Sequence, residues 1–374
     1  MSEQTHSQLN ALREALDNVD QHLVELAAQR QRIVSEIGEI KAQAGRQLRD
    51  FRRERDVLNA VRSKAQELAL DPDLAEDLIA RLIEASLTQQ EQDQVRRAHR
   101  GEGLHALVIG GAGRLGVWLA NFLDAQGYQV TIADPAVSTT ESTRHLSDWR
   151  QAGLNFDVIV LATPPGITAT LLYELSERQT SALVFDVGSI KTPLIEALHA
   201  ACHQGLKVCS VHPMFGPDTA LLSGRHILLM DVGSPLAVEE AKAIFSDTMA
   251  ETVTIPIDRH DRLMALVLGL SHTINIAFLV ALVETGIGAS ELSELSSTTF
   301  ARQLAIASDV AYESPAVYYE IQKLNEHGHL AHDALTRAVG MIQEAIAADD
   351  AAAFANLMTR GRVYVESLSG KADS

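Results

Sequence analysis

The stretch "HALVIGGAGRLGVWLANFL", His105 to Leu123, decides the fold. An apolar run ends in a glycine turn that carries Gly111, Gly113 and Gly116, and a helical pattern follows at once. The G-x-G-x-x-G spacing alone is weak evidence, but a strand before it and a helix after it supply the context it requires. Glycines there permit a tight turn and let the backbone approach a pyrophosphate held at the helix N-terminus, with Arg114 and Leu115 between them. The next apolar run, "QVTIAD", ends at Asp134. A carboxylate at that point accepts the ribose hydroxyls of NAD and repels the extra phosphate of NADP, so the expected cofactor is NAD. Arg144, farther along, argues weakly for NADP.

Outward from this stretch, "FDVIVLAT", "ALVFDVGS", "KVCSVHP", "HILLMD" and "TVTIP" are further short apolar runs, several with helical segments between them. The alternation predicts an α/β domain with a mainly parallel sheet covered on both faces. The carboxyl ends of such strands face the ligand crevice. They carry Thr163, Pro164 and Pro165 in "LATPPGI", Asp186, Ser189 and Lys191 in "FDVGSIK", and His212 in "SVHPMFGP". Lys191 could hold an anionic group or be merely solvated. A histidine titrates near neutrality, so His212 is placed to take a proton from a substrate hydroxyl as hydride leaves the same carbon.

With 374 residues the chain predicts two or three domains. Residues 1–100 hold 15 basic against 18 acidic residues, and the remainder 16 against 31, so the net charge of −18 lies mostly in the second part. Such a field repels nucleic acid. Two cysteines, Cys202 and Cys209, suit a reduced, cytoplasmic setting and cannot build a cysteine-rich zinc site; no metal site is expected. The start "MSEQTHSQLN" has no basic region followed by an apolar one, so no signal peptide is read. Leu263 to Val283 is long and apolar enough to span a bilayer, but it carries His272, Thr273 and Asn275 and has no matching second span. It is read as a buried helix at a subunit interface, with no membrane partner.

Before the glycine turn the pattern is helical. Leu9, Leu12, Leu16, Val19, Leu23, Leu26, Ile33, Ile37 and Ile40 mark one long helix. A second helix is predicted from about Arg52 to Leu68, and a third from Pro72 to Gln90 with Asp71 as N-cap. A helix of that length cannot bury its stripe in so small a module, which predicts an intertwined helical dimer. "EQDQVRRAHRGEG", Glu91 to Gly103, reads as a linker, and residues 258–367 read as helices.

Helical geometry groups polar residues of the first hundred. Asp50, Arg53 and Glu54 share a face, as do Ser86 and Gln90, while Arg30 and Lys41 lie about three turns apart. Arg13 precedes Arg30 by 17 residues, roughly 25 Å, so any small-ligand site it serves is the partner subunit's. The inventory of cations, a carboxylate and an amide suits stabilisation of an anionic, charge-separating transition state; a solvated amphipathic bundle is the alternative. In "GRQLRDFRRERDVL", Arg46, Arg49, Arg52 and Arg55 read as solvated surface or ion pairs.

In order, "ALREALD", "LAAQR", "EIGEIK", "LRDFRRERDVL" and "LIEASLTQQ" resemble the AroQ-class chorismate mutases, and "VIGGAGRLG", "DVGSIK", "HPMFGPD" and "RHDRLMALV" resemble the prephenate dehydrogenases. Together they resemble the bifunctional family of tyrosine biosynthesis. The resemblance implies an all-α mutase domain (1–92), a linker (93–103), an α/β Rossmann NAD-binding domain (104–256) and an all-α dimerisation domain (257–374). It implies that Arg30 and the partner's Arg13 bind the carboxylates of chorismate, with Arg53 in support. Lys41 and Gln90 would hydrogen-bond the ether oxygen, Glu54 the ring hydroxyl, and Asp50 and Ser86 would complete the pocket. His212 would serve the oxidation of prephenate to 4-hydroxyphenylpyruvate.

The match departs from the family in one helix. In the dehydrogenases, an arginine that grips the substrate carboxylate lies six residues before a proline; here Asp309 precedes Pro315 by six. A second family arginine falls at Ala301, with Arg302 adjacent, and a histidine is replaced by Gly166. Three readings follow. Arg302, Arg225 or His272 anchors prephenate; or Asp309 attracts the ammonium of an aminated substrate such as arogenate or 4-amino-4-deoxyprephenate; or the second half binds ligand as a regulatory module.

Overall fold

The computed structural model describes residues 3–44, 48–136, 144–153 and 155–369. Arg46 lies outside them. The chain forms two compact units. The first runs to Gly188 and resumes over Ala197–Thr254; the second holds Ser189–Glu196 and the chain from Ile255 onward.

The first unit begins with three helices, α1 (Glu3–Gln43), α2 (Phe51–Glu67) and α3 (Pro72–Ala98). The Asp50 carboxylate caps α2 by accepting from the Arg53 N–H at 2.9 Å, and Asp71 caps α3 with Pro72 in the first turn. The polar stretch read as a linker is, through Ala98, the last turns of α3. Its charges hid a buried stripe, Glu91 and Val95, that packs the helix onto the rest of the unit. Along the N-terminal half of α1 the apolar stripe is exposed: Leu12, Leu16, Val19 and Leu23 are each more than half accessible. A helix carries such a stripe at little advantage unless something covers it.

The sheet follows, with β1 (His105–Ile109), α4 (Arg114–Ala125), β2 (Gln129–Ala133), β3 (Arg144–Leu146), β4 (Val158–Leu161), α5 (Pro165–Arg178), β5 (Leu183–Asp186), α6 (Ile195–His203), β6 (Val208–Pro213), β7 (His226–Met230), α7 (Pro235–Ile244) and β8 (Glu251–Thr254). Strand order is β3-β2-β1-β4-β5-β6-β7-β8, parallel except for the β6–β7 pair. The order reverses between β1 and β4, which opens a ligand crevice at their carboxyl ends. The runs Ala106–Ile109 and Val158–Leu161 are buried throughout, as a sheet covered on both faces requires. Strand β3 has only three residues, none fully buried, so it left no apolar run in the sequence.

The second unit is helical: α8 (Ile257–Met264), a π-helical segment (Ala265–Leu270), α9 (Ser271–Glu284), α10 (Ala289–Glu294), α11 (Thr298–Ala311), α12 (Pro315–Leu324), α13 (Gly328–Ala347) and α14 (Ala351–Ser369). The stretch expected to be a buried helix at a subunit interface, Leu263–Val283, lies in one continuous helical run whose middle, Ala265–Leu270, is π-helical, and on the single chain Leu266, Val267, Val280 and Val283 stand exposed. Ile257–Glu284 is long and apolar enough to cross a membrane by length and composition. The π segment leaves carbonyls misaligned with their usual donors, and Gln322 Nε2 donates to the Gly269 carbonyl at 3.0 Å.

A buried carboxylate organises this unit. Asp261, 2% exposed, accepts from the Lys191 N–H at 2.8 Å, the Thr192 N–H at 2.6 Å, the Thr192 hydroxyl at 2.5 Å and His260 Nδ1 at 2.6 Å. Burial alone raises its pKa, but the hydrogen bonds from His260, Thr192 and the two backbone N–H groups hold it below the ordinary carboxylate range. A depressed folded pKa contributes stability that is present above the unfolded pKa of about 3.9 and is lost as pH falls through the folded value. Asp261→Ala is therefore expected to cost on the order of 3 kcal/mol at neutral pH, since several buried donors lose their acceptor. The deficit should shrink in acid; urea titrations at the two pH values check this.

Candidate functional site

Two sets of polar side chains are built in the first unit. In the nucleotide-binding fold, Gly110 turns the chain with φ +84°, and a Cβ there would lie 2.5 Å from the Ala162 carbonyl oxygen. Gly116 faces the same turn: a Cβ would stand 2.2 Å from the Gly110 oxygen and 2.7 Å from the Gly111 Cα. Both obstacles are backbone, so the start of α4 must shift if Gly116 is replaced. Gly116→Ala is expected to weaken nucleotide binding by about 10- to 100-fold, the equivalent of 1–3 kcal/mol of overpacking, as titration calorimetry would read.

Gly113 is the N-cap of α4 and supplies no side-chain cap, and a Cβ there would meet only the Gly110 oxygen, at 3.4 Å. The first turn of α4 thus offers uncapped N–H groups to an anion. Asp134 closes β2, with its carboxylate accepting from the Ala112 N–H at 3.1 Å and the Ala136 N–H at 2.9 Å. Gly110, Gly113, Asp134, Thr163 and Pro164 line one cleft of about 560 Å³. Thr163 is fixed by a 2.8 Å hydroxyl contact with Thr168, and Pro164 is the N-cap of α5. This cradle fits a dinucleotide. Arg114 pairs with Asp218 and Leu115 packs at the edge of the sheet core, so their contribution to the cleft is through the backbone turn. Arg144 is in β3 and does not line the cleft.

His212 lies in β6, 4% exposed, opposite Leu228 of β7. Asp186 at the end of β5 is fully buried and accepts from the Gly188 N–H at 2.9 Å. Pro213 follows His212, and the chain then enters the loop that leads to β7.

The helical module gathers the second set. Arg30 Nη1 donates to Ser86 Oγ at 2.9 Å and to the Leu82 carbonyl at 3.0 Å. Burial pushes the Arg30 pKa down. Gln90, 8% exposed, donates to the Val34 carbonyl at 2.7 Å, and Lys41 Nζ donates to the Leu48 carbonyl at 2.7 Å. Glu54 is gripped by Arg49, with Nε at 3.1 Å and Nη2 at 2.9 Å. Arg49 is thus the ion pair of the two readings; Arg52 and Arg55 are exposed, as is Arg53. Asp50 spends its carboxylate on the cap of α2. Arg13 is exposed on the far part of the unbroken α1 and does not join the cluster of its own chain.

In the second unit, Lys191 is fully buried, which removes the solvated reading, and Ser189 is half-buried. His272 stacks on Tyr318 at 4.1 Å between ring centroids, and burial lowers its pKa. Arg302 and Asp309 are both exposed on α11, and Arg225 and Gly166 are exposed in the first unit.

Several participants escaped sequence reading. Gln31 accepts from Ser86 Oγ at 2.6 Å. Gly38 lets α3 approach: a Cβ there would come within 2.9 Å of Gln90 Nε2. A mid-helix glycine, which weakens a helix by about 1 kcal/mol, was the available signal. Gly110 was hidden by the neighbouring Gly111, and Glu91 by the charged stretch around it.

Fold and site together define a helical module with a cationic and amide-lined site suited to a small anion, joined to a dinucleotide-binding dehydrogenase fold. Family models match type II chorismate mutase over residues 12–91, the nucleotide-binding domain of prephenate dehydrogenase over 119–254, and its dimerization domain over 256–360. The T-protein of Enterobacter agglomerans is 28% identical over 318 residues, 84% of this chain and 82% of the relative. The 4-amino-4-deoxyprephenate dehydrogenase of Streptomyces pristinaespiralis is 27% identical over 266 residues, covering 68% and 89%. A crystal structure of prephenate dehydrogenase from A. aeolicus, in complex with hydroxyphenyl propionate and NAD+, has the same fold with TM-score 0.58 and 17% identity, covering 71% and 98%. The chain belongs to the bifunctional T-protein family, a chorismate mutase fused to a prephenate dehydrogenase, of tyrosine biosynthesis. Residues 256–360 of its last unit match the dimerization domain, and apolar residues such as Val280 and Val283 are exposed there on the single chain.

Proposed function

We propose that the first module rearranges chorismate to prephenate and that the second oxidises prephenate with NAD to 4-hydroxyphenylpyruvate, in a cytoplasmic homodimer. The observation that carries the first step is the convergence of Arg30, Gln31 and Ser86 around one point between α1 and α3. No nucleophile is needed. Arg30 and the partner subunit's Arg13 hold the two carboxylates and thereby the folded conformer, and Lys41 and Gln90 meet the ether oxygen where negative charge grows. Glu54, held by Arg49, accepts the ring hydroxyl.

For the second step, NAD, when bound, supplies the hydride acceptor. The glycine turn and α4 hold its pyrophosphate, and Asp134 takes the ribose hydroxyls and disfavours a phosphate there. His212 accepts the proton of the ring hydroxyl as that carbon is oxidised, the substrate carboxylate leaves as carbon dioxide, and the ring becomes aromatic. Asp309 supports a second reading, in which the substrate carries an ammonium group. Turnover of prephenate, arogenate and 4-amino-4-deoxyprephenate, each with NAD and with NADP, tests the assignment. Prephenate with NAD is expected to give the highest kcat/KM, and a preference for an aminated substrate would replace it.

A further inference from the structure

One loop of the nucleotide-binding domain grips both halves of the mutase site. Helix α3 presents Ser86 and Gln90 to α1, and the next residue, Glu91, points instead toward the segment around Leu222. Glu91 is 3% exposed; its carboxylate accepts from the Leu222 N–H at 2.7 Å and from the Met249 N–H. Burial raises the Glu91 pKa, and the two backbone donors oppose that rise. A carboxylate so placed cannot shift without leaving the buried Leu222 N–H and the half-buried Met249 N–H without an acceptor, so α3 is locked to the sheet domain beside Gln90.

The second grip is on the α1–α2 side. Arg49 fixes Glu54 through Nε and Nη2, and its remaining nitrogen, Nη1, donates to Ser223 Oγ at 2.8 Å. The planar guanidinium gives these bonds a fixed mutual geometry, so anchoring one end orients the other. Phe51, 4.5 Å below the guanidinium, supports the same plane. Leu222 and Ser223 are adjacent, and they hold the immediate supports of Gln90 and Glu54. The loop is itself fastened to the nucleotide helix: Asp218 pairs with Arg114, and the Thr219 carbonyl accepts from Trp118 Nε1 at 3.2 Å.

We propose that Arg49 and Glu91 are positioning residues of the mutase reaction and that the Leu222–Ser223 segment of the dehydrogenase half holds them in place. This rests on the reading of the helical module as a chorismate mutase. It makes mutase efficiency depend on a hydroxyl in the other domain, one that has no role toward chorismate itself.

The test uses the full-length protein and chorismate. Ser223→Ala is expected to lower mutase kcat/KM by about 10-fold, a part of the roughly 100-fold penalty that a full 1 Å misplacement of a positioning group carries. Ser223→Thr, which keeps the hydroxyl, should restore it. A thermal melt establishes that each variant folds. If Ser223→Ala does not fold, Ser223→Cys takes its place, keeping the volume while accepting hydrogen bonds poorly. A folded Ser223→Ala or Ser223→Cys protein with wild-type mutase kcat/KM overturns the proposal, as does equal loss in Ser223→Thr. A wild-type protein that leaves chorismate unchanged removes the mutase reading beneath it, which is a different result.

Discussion

Arg30→Ala is expected to lower mutase kcat/KM by about 1000-fold while prephenate oxidation stays near the wild-type rate. Among the described residues, Arg30 is the cation that the chain brings against Ser86 and Leu82, on the wall where α1 meets α3. Removing one partner of a buried charged contact with a carboxylate is worth about 2–5 kcal/mol, and both the substrate and its charge-separated transition state lose it. The loss should therefore appear in KM and in kcat. Arg13→Ala should resemble it for a different reason, since Arg13 is carried away along a continuous helix. Mixed after subunit exchange, the two single variants should regain mutase activity, because one site in each mixed dimer then has both arginines. Demonstrated exchange without recovery would count against a site shared across subunits. Chorismate consumption in the mixture provides the readout.

His212→Asn is expected to reduce dehydrogenase kcat by about 1000-fold and to leave mutase kcat unchanged. A positioned acid–base group contributes about 100- to 10,000-fold, and asparagine preserves size and a hydrogen-bonding group but cannot take a proton. The histidine is set in a strand flanked on both sides, parallel to β5 and antiparallel to β7, so the substitution leaves the backbone in place. Nucleotide affinity should be unaltered, because the cleft is lined by Gly110, Gly113, Asp134, Thr163 and Pro164 and not by His212. An Asn variant with normal kcat would remove the assignment of His212. Stopped-flow measurement of NADH formation from prephenate checks it.

Much of this organisation could be read from periodicity. The α1 stripe, the Asp71 cap and seven of the strand runs follow from local rules, and the glycine turn announced the crevice through its context. What could not be read depends on contacts between segments distant in sequence. Glu91 looks solvated among its charged neighbours, yet it is held by Leu222, 131 residues away. Arg49 looks like one of several surface arginines, and its contacts with Glu54 and with the distant Ser223 separate it from Arg52 and Arg55. The π segment within Leu263–Val283 has no local signature, because its carbonyl is satisfied by Gln322 from another helix. Exposure of that stretch depends on what covers it, which the sequence of one chain does not encode locally.

The most direct measurement supplies the purified protein with chorismate and NAD and follows both chorismate loss and NADH formation. Two activities on one chain predict that chorismate disappears first and that one NADH then appears for each prephenate consumed. The two activities also predict that Arg30→Ala abolishes both signals from chorismate but leaves NADH formation from added prephenate. Chorismate loss with no NADH, from chorismate or from added prephenate, would contradict the dehydrogenase assignment.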